Sequence, residues 1–364
     1  MVELFKVDAD TSRRIPADVL ERVTTDLFRA VGHPDDDASA IARALVDADL
    51  RGVETHGVSN MLRKYLTWTR DGSINPTPDL RVVHEAPATL TYDADEGHGL
   101  AVAPKVMDEV LDRAATFGIA FATVRNSRHL GMLGHHTMRA VERGMIGVCG
   151  TSVGPRLIPT FGREPRLGTN PVAVGVPART RAPFVFDAAM TTVAQNRLEL
   201  ALRVGRPVPP GLFADEDGVP YPEERMPERE MGTRLLPLGG TPQGGSHKGY
   251  GLSAVMAILS GVLSGAQLMT VAGLGNANHF FMALDIAAFG DRDAFLDQMD
   301  AFLSTLADTA PAPGHDRVYY AGEMEAEALE ERSVHGVPLH EEVWRWFATT
   351  TRELGVDPGP FASA

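Results

Sequence analysis

Between Leu80 and Thr151 the chain alternates short apolar or β-branched runs with longer stretches of helical periodicity, and few architectures accept that rhythm. Leu80–His84 and Thr89–Asp93 read as strands, Ala101–Phe117 as a helix and Ile119–Val124 as an apolar strand. Gly134–Arg143 reads as a second helix leading into a strand over Met145–Thr151, and Val172–Val176 and Phe184–Asp187 add two more short strands. Each helix in such a succession must bury one face on the strands around it, which predicts an α/β (α+β) layer with helices packed on a sheet. A Rossmann sheet carries Gly-x-Gly-x-x-Gly after its first strand; Gly273-Leu274-Gly275-Asn276-Ala277-Asn278 lacks the third glycine and leads into no helix. No P-loop occurs. The sheet is therefore expected to be of a non-Rossmann kind.

Helices flank this layer. Pro16–Arg51 reads as two helices and Asn60–Arg70 as a third, ending at the Gly72–Pro78 break. Val193–Val204 returns to helix before a loop rich in Pro, Gly and acidic residues from Gly205 to about Gly245, a length more often functional or interfacial than idle. Lys248–Leu263 is the most apolar helix, and its glycines imply close approach of another backbone or a ligand. Ala277–Ile286 reads as a strand, and Asp291–Leu306, Met324–Ser333 and Glu341–Leu354 as helices, the last carrying Trp344, Trp346 and Phe347. This cluster and the apolar helix Lys248–Ala266 offer more apolar surface than a monomer needs to expose, so an interface between copies is expected there.

Charge and composition exclude several classes. A net charge of −14 and the lack of any basic block argue against nucleic-acid partners, which require clustered Lys and Arg. The single cysteine, Cys149, lies in an apolar run, where a buried, inert thiol is expected and a reducing cytosol fits. The apolar runs are too broken for a membrane span and the first residues do not resemble a signal peptide, so a cytoplasmic, non-membrane protein is expected.

The most distinctive polar stretch is Ala48–Gly57, where a helix runs into Arg51-Gly52-Val53-Glu54-Thr55-His56-Gly57. Asp35, Asp36 and Asp37 favour the helix start, Ile41, Leu45 and Ala48 give it an apolar face, and Gly52 can end it. The turn then presents an imidazole, which changes protonation near neutral pH with little tuning. The same residues suit a capped turn in which His56 bonds a carbonyl, and spacing leaves both readings open. Arg125–Gly131 lies between a strand and a helix, where phosphates or carbonyls can bind. Gly168-Thr169-Asn170-Pro171 opens a strand, Asp187–Thr192 closes one and opens a helix, and Lys248 adds charge to a helix N-terminus. Each also has a plain reading as turn, cap or solvated charge. His135 and His136 diverge on a helix and no carboxylate completes a set with His129, so no metal site is expected. On the residues by themselves, a nicotinamide-dependent oxidoreductase and a His-dependent non-redox hydrolase or lyase both stand.

In order along the chain, ADLRGVETHGVSNMLRKY, RNSRHLG, ERGMIGV, RLGTNP, FDAA, LLPLGG, HKGYGL with ILSGVLSGA, and NHFF resemble the malate/L-lactate dehydrogenase family. That family has a fold distinct from Rossmann dehydrogenases and includes ureidoglycolate dehydrogenase, diketogulonate reductase and piperideine-2-carboxylate reductase. The resemblance implies NAD(P)H-dependent reduction of a carbonyl such as a 2-oxo acid, or the reverse oxidation, with cyclic-imine reduction as the alternative; NAD or NADP is left open. It implies a homodimer and a discontinuous helical domain: residues 1–78 its first segment, 79–190 the α/β cofactor domain, and 191–364 a helical and mixed segment completing the core and the dimer interface. Residue by residue, His56 matches the family's proton donor, Thr55 stands for the usual partner Ser, Asp187 matches the carboxylate of that relay, and His129 matches a catalytic or cofactor-contacting His. Cofactor contacts are implied for His129, Thr151, Ser152, Asn170, Pro171, Asp187, Ala188, Ala189, Lys248, Gly322 and Glu323. Asn60 stands where the family has an Arg that grips a substrate carboxylate, an amide in place of a bidentate cation. Arg51 and Arg63 are the nearest cations in sequence that could replace it.

Overall fold

A computed structural model describes residues 9–267 and 275–363, so Gly273 and Leu274 of the rejected glycine motif lie outside the described residues. The chain opens with β1 (Ser12–Ile15), α1 (Ala17–Ala30) and α2 (Asp35–Leu50), then a π-helical turn over Val58–Leu62 that runs into α3 (Arg63–Arg70). β2 (Arg81–Ala86), β3 (Thr89–Asp93), α4 (Gly99–Phe117), β4 (Ile119–Ser127), α5 (Leu133–Glu142), β5 (Ile146–Val153), β6 (Val172–Val176) and β7 (Phe184–Ala188) follow. After α6 (Gln195–Val204) and α7 (Ser246–Ala257) come β8 (Ala277–Leu284), α8 (Arg292–Ala307), α9 (Glu323–His335), β9 (Val337–His340) and α10 (Glu341–Leu354).

The α/β expectation holds, and β8 is the strand that completes it. The 7-stranded sheet has the order β2-β3-β4-β8-β5-β6-β7, and β8 runs antiparallel to both β4 and β5. β3, β4 and β5 therefore share one direction, as strand–helix–strand crossovers require, and the gap between β4 and β5 is filled by a strand that arrives far later in sequence. β8 is buried along nearly its whole length, with Phe280 and Phe281 on opposite faces. α4 shows how the helices dock: Val102, Val106, Val110 and Ala114 recur at helical spacing and are all buried, the His98 Nδ1 atom caps the start by accepting from Leu100 N–H, and Gly118, at φ 83°, ends it.

A second core joins the two ends of the chain. Leu20, Phe28, Ile41, Leu45 and Tyr65 pack with Val337, Leu339, Phe347 and Phe361. The ribbon of β1 on β9 seals this unit. The expected segment 191–364 is thus divided among three places: β8 enters the sheet, residues around Leu198, Phe213 and Leu235 form a small core of their own, and the C-terminal helix joins the first helices. Trp344 and Phe347, expected among the apolar surface of a dimer, are instead core residues packed on Phe361. The other half of that expectation differs: Leu252, Val255, Ile258, Val262 and Leu263 on and after α7 are exposed. Cys149 is fully buried, and burial holds its thiol well above the usual range.

Candidate active site

The loop after α2 is held from three sides. Asp49, buried in the last turn of α2, accepts the Val58 N–H through Oδ2 at 2.7 Å. Gly57 permits this, because a Cβ there would lie 1.9 Å from Asp49 Oδ1. From α9, Arg332 donates to the Asp49 carbonyl at 2.5 Å and pairs with Glu54 at 2.9 Å, both side chains nearly buried. Burial pushes the Asp49 carboxyl up to about 8, against the pull of the Val58 N–H. On the third side, Asn60 Nδ2 donates to the carbonyls of Thr55 at 3.0 Å and Asn196 at 3.4 Å. Asn60, which the resemblance sets at the substrate side, ties the His56 loop to α6 through this amide donor.

The loop presents His56 to a second imidazole. Thr55 Oγ1 lies 2.9 Å from His56 Nδ1, and the His56 and His129 rings stack with centroids 5.6 Å apart and planes 4° apart. His129 comes from the turn after β4. Its Nδ1 receives the Gly131 N–H at 3.3 Å and the Tyr65 hydroxyl at 2.5 Å, an arrangement that assigns its proton to Nε2. Both rings keep partial solvent access although protein packs around them. That packing lowers His56 to about 4, with Lys64 and Arg197 adding repulsion, and holds His129 well below its ordinary value, with His56, Lys64 and His279 adding. Both imidazoles are neutral at physiological pH.

A chain of contacts leads from this pair to a cleft. His279, buried on β8, bonds the carbonyl of Arg128, the residue before His129, at 3.1 Å and the Thr151 hydroxyl at 2.9 Å. Beside Thr151, Ser152 is 1 % exposed, its Oγ has no hydrogen-bond partner, and it lines a cleft of about 190 Å³ with Gly168, Asn170, Ala257 and Gly261. Gly261 sits in a second π-helical turn, and a Cβ there would come within 3.2 Å of Ser152 Oγ. Such turns recur at functional sites. The larger hollow beside β1 and α9, lined by Arg14, Asp18 and His335, brings together no comparable set.

Not every residue assigned to the cofactor keeps a free side chain. Thr151 Oγ1 is engaged with Asn278 O and His279, and Asn170, at φ 37°, receives Val153 N–H and donates to Ser253 O, so both brace the cleft through internal bonds. Pro171 contributes a carbonyl to Thr151 N–H. Lys248 is exposed in the first turn of α7. Asp187 accepts the Gly134 N–H at 2.8 Å, placing a carboxylate at a helix N-terminus, though at α5 and not at the helix that follows it in sequence. Asp187 is solvent-exposed by area, yet desolvation by the protein packed around it pushes its carboxyl up to about 6, against the Gly134 and Leu133 N–H groups. No hydrogen bond among the described residues joins Asp187 directly to His56 or Thr55. Ala188 and Ala189 continue that edge, and the Gly322-Glu323 turn docks on it: Val185 N–H donates to Ala321 O, and a Cβ on Gly322 would meet Val185 N at 2.7 Å.

The two cations nearest in sequence point elsewhere. Arg63 pairs with Glu342 at 2.6 Å and lies over Trp346, and Arg51 pairs with Asp47, which also holds His135 at 2.7 Å. Lys64 and Arg197 are the charges that act on His56, and neither was expected. Lys64 had a signal, being eight residues from His56 on the next helix; Arg197 had none, because α6 reaches the site only through tertiary packing. His136, expected to diverge from His135, bonds the Leu130 carbonyl at 2.9 Å.

Residues 15–348 match the family model described as malate/L-lactate dehydrogenase. The chain is 35% identical over 349 residues to a malate dehydrogenase of Pyrococcus abyssi, covering 94% of this chain and 95% of that protein. It is 30% identical to an L-sulfolactate dehydrogenase of Methanocaldococcus jannaschii, covering 93% and 96%. Among solved structures, the malate dehydrogenase of Entamoeba histolytica superimposes with a TM-score of 0.91 at 30% identity, covering 95% of this chain and 99% of that one. With a matching fold and a family model spanning nearly the whole chain, the protein belongs to the malate/L-lactate dehydrogenase family and is an oxidoreductase acting on CH–OH groups.

Proposed function

We propose that the protein interconverts a 2-hydroxy acid and its 2-oxo acid with NAD or NADP, the proton being handled at His56 and the cofactor lying in the Ser152 cleft. The observation that carries this reading is the stacked His56–His129 pair, joined through Arg128, His279 and Thr151 to a cleft holding an unpartnered buried hydroxyl. Ser152 Oγ fits a polar group of a dinucleotide, the missing side chain of Gly261 leaves room beside it, and Lys248 offers charge to a phosphate. When bound, the nicotinamide gives or takes the hydride.

The chain's own residues manage the proton. In the oxidising direction His56 Nδ1–H donates to Thr55 Oγ1, leaving Nε2 to accept the substrate hydroxyl proton. His129, its Nδ1 filled by Tyr65 and Gly131, turns an Nε2–H toward the same oxygen and steadies it. A neutral His56, lowered to about 4, is ready to accept a proton; in reduction the protonated ring returns it. His56→Ala should lower kcat about 10²–10⁴-fold with cofactor affinity kept. Full turnover by that variant would refute the assignment. The exposed apolar residues from Leu252 to Leu263 support pairing of two copies along α7.

A further inference from the structure

The start of α4 and the phenol of Tyr65 hold His129 from behind. Arg128 N–H donates to the Gly97 carbonyl at 3.1 Å, and a Cβ on Gly99 would lie 2.5 Å from the His129 carbonyl oxygen, so the His129 backbone is seated on the first residues of that helix. Beside Gly99, His98 caps α4 through Nδ1, which accepts the Leu100 N–H at 3.1 Å. Burial, with repulsion from His33 and His129 adding, keeps the His98 ring neutral, so its proton is on Nε2. That nitrogen is buried without a hydrogen-bond partner among the described residues. Of the rings of Phe28, His33 and Tyr65 that meet His98, Tyr65 is the nearest, edge to face with centroids 4.3 Å apart. Tyr65 is itself fully buried in α3. Thr69 bonds only its backbone: the Thr69 hydroxyl donates to the Tyr65 carbonyl at 3.0 Å and lies 3.2 Å from His33 Nε2. The Tyr65 hydroxyl is directed instead to His129 Nδ1 at 2.5 Å, and burial, which raises the phenol well above its usual range, keeps it a donor. Gly131 N–H, the other group at Nδ1, is 3.3 Å away, beyond the usual length of a hydrogen bond from N–H.

We propose that Tyr65 is a positioning residue for the redox reaction: it locks His129 in the Nε2–H tautomer and polarises that N–H toward the substrate oxygen, with His98 and Gly99 fixing where phenol and imidazole meet. The lock rests on the reading above that His129 steadies that oxygen. A neutral imidazole can carry its proton on either nitrogen, and in the other tautomer a bare Nε2 would repel a developing alkoxide. Losing one donor at such an oxygen costs about 10²–10³-fold in kcat. Donation by Tyr65 to Nδ1 also strengthens the Nε2–H bond to substrate, because consecutive hydrogen bonds polarise one another.

The test reads tautomer and turnover in the same proteins. Nitrogen NMR of histidine-labelled protein is recorded for wild type, Tyr65→Phe, Thr69→Val and His129→Asn, the last identifying the His129 signals by their loss. The lock predicts a wild-type His129 with its proton on Nε2 alone, and both tautomers in Tyr65→Phe, which keeps the ring and loses only the hydroxyl. In that variant kcat for 2-oxo acids should fall about 10- to 100-fold, less than the full loss of a donor because Gly131 still favours the right tautomer, while the dissociation constants for NADH and NADPH stay unchanged. Thr69→Val strips bonds from the Tyr65 backbone and His33 but leaves the phenol in place. It should lower the unfolding midpoint yet keep wild-type kcat and the single tautomer, so lost stability cannot imitate the lock. Tyr65→Phe with wild-type kcat, or with slow turnover and an unchanged tautomer, would overturn the proposal. A wild-type His129 protonated at Nδ1 would overturn it too, and that result needs no variant to fold. His129→Asn turning over at the wild-type rate would overturn the reading beneath the lock, whereas a slow His129→Asn beside a normal Tyr65→Phe would remove the lock alone.

Discussion

Gly57→Ala tests the account of how His56 is positioned. Gly57 has φ −86° and ψ −172°, which alanine adopts without strain, so the perturbation is purely steric. The added methyl would sit 1.9 Å from Asp49 Oδ1 and 2.2 Å from its Cγ. Asp49 is fully buried and held by Val58 N–H, so the carboxyl can yield only by breaking that bond or by moving α2 against the loop. Overpacking costs about 1–3 kcal/mol, and a buried acceptor left without its donor about 1–3 kcal/mol more. The variant should therefore lose roughly 2–6 kcal/mol of unfolding free energy in urea. Turnover should fall further than stability predicts, because a loop shift of about 1 Å can cost about 10²-fold in rate. Cofactor binding, proposed to lie in the Ser152 cleft, should survive. Adding Asp49→Gly should restore part of the turnover by vacating the space. A Gly57→Ala protein with wild-type stability and kcat would show that Asp49 does not brace the loop.

Three other outcomes follow from the geometry. Ser152→Val should fill the cleft with a methyl pair in place of an unpartnered hydroxyl and weaken NADH and NADPH binding by about 1–3 kcal/mol, measured by fluorescence titration; unchanged affinity would place the cofactor elsewhere. Burial lowers His279 from 6.5 to about 4, so the unfolded chain takes up this proton first as pH falls; its contribution is complete above about 6.5 and is lost on the way down to about 4, at most about 3 kcal/mol. His279→Gln should flatten that part of the stability–pH curve in urea unfolding, and an unchanged curve would reject the assignment. Paired Leu252→Glu and Val262→Glu substitutions should convert a dimer to a monomer by light scattering; a wild type already monomeric at micromolar concentration would refute pairing along α7.

Local signals in the sequence located nearly every helix and strand of the sheet, because period 2 and period 3.6 are written within a few residues of each other. Pairing across long separations is not written that way. The insertion of β8 between β4 and β5, and the joining of β1 to β9, depend on contacts between residues more than a hundred positions apart. The four-residue strands Ser12–Ile15 and Val337–His340 are also too short to show alternation. Within the site, the loop glycines and His56 were legible because a turn at a helix end constrains residue type. Tyr65 read as part of an amphipathic helix, and only the fold brings its hydroxyl to His129. The cations nearest His56 in sequence, Arg51 and Arg63, pair with Asp47 and Glu342, whereas Arg197, which acts electrostatically on His56, comes from α6. The hold of the α5 start on the Asp187 carboxylate is likewise made only by the fold.

In the proposed mechanism His56 exchanges a proton with a substrate whose hydride passes to or from nicotinamide beside it. Single-turnover oxidation of NADH or NADPH by a panel of 2-oxo acids, run on wild type and His56→Ala across pH, tests it most directly. The account predicts one equivalent of cofactor oxidised per site by wild type, and a rate that drops at least about 10²-fold in His56→Ala with cofactor still bound. Equal single-turnover rates in the two proteins would contradict it.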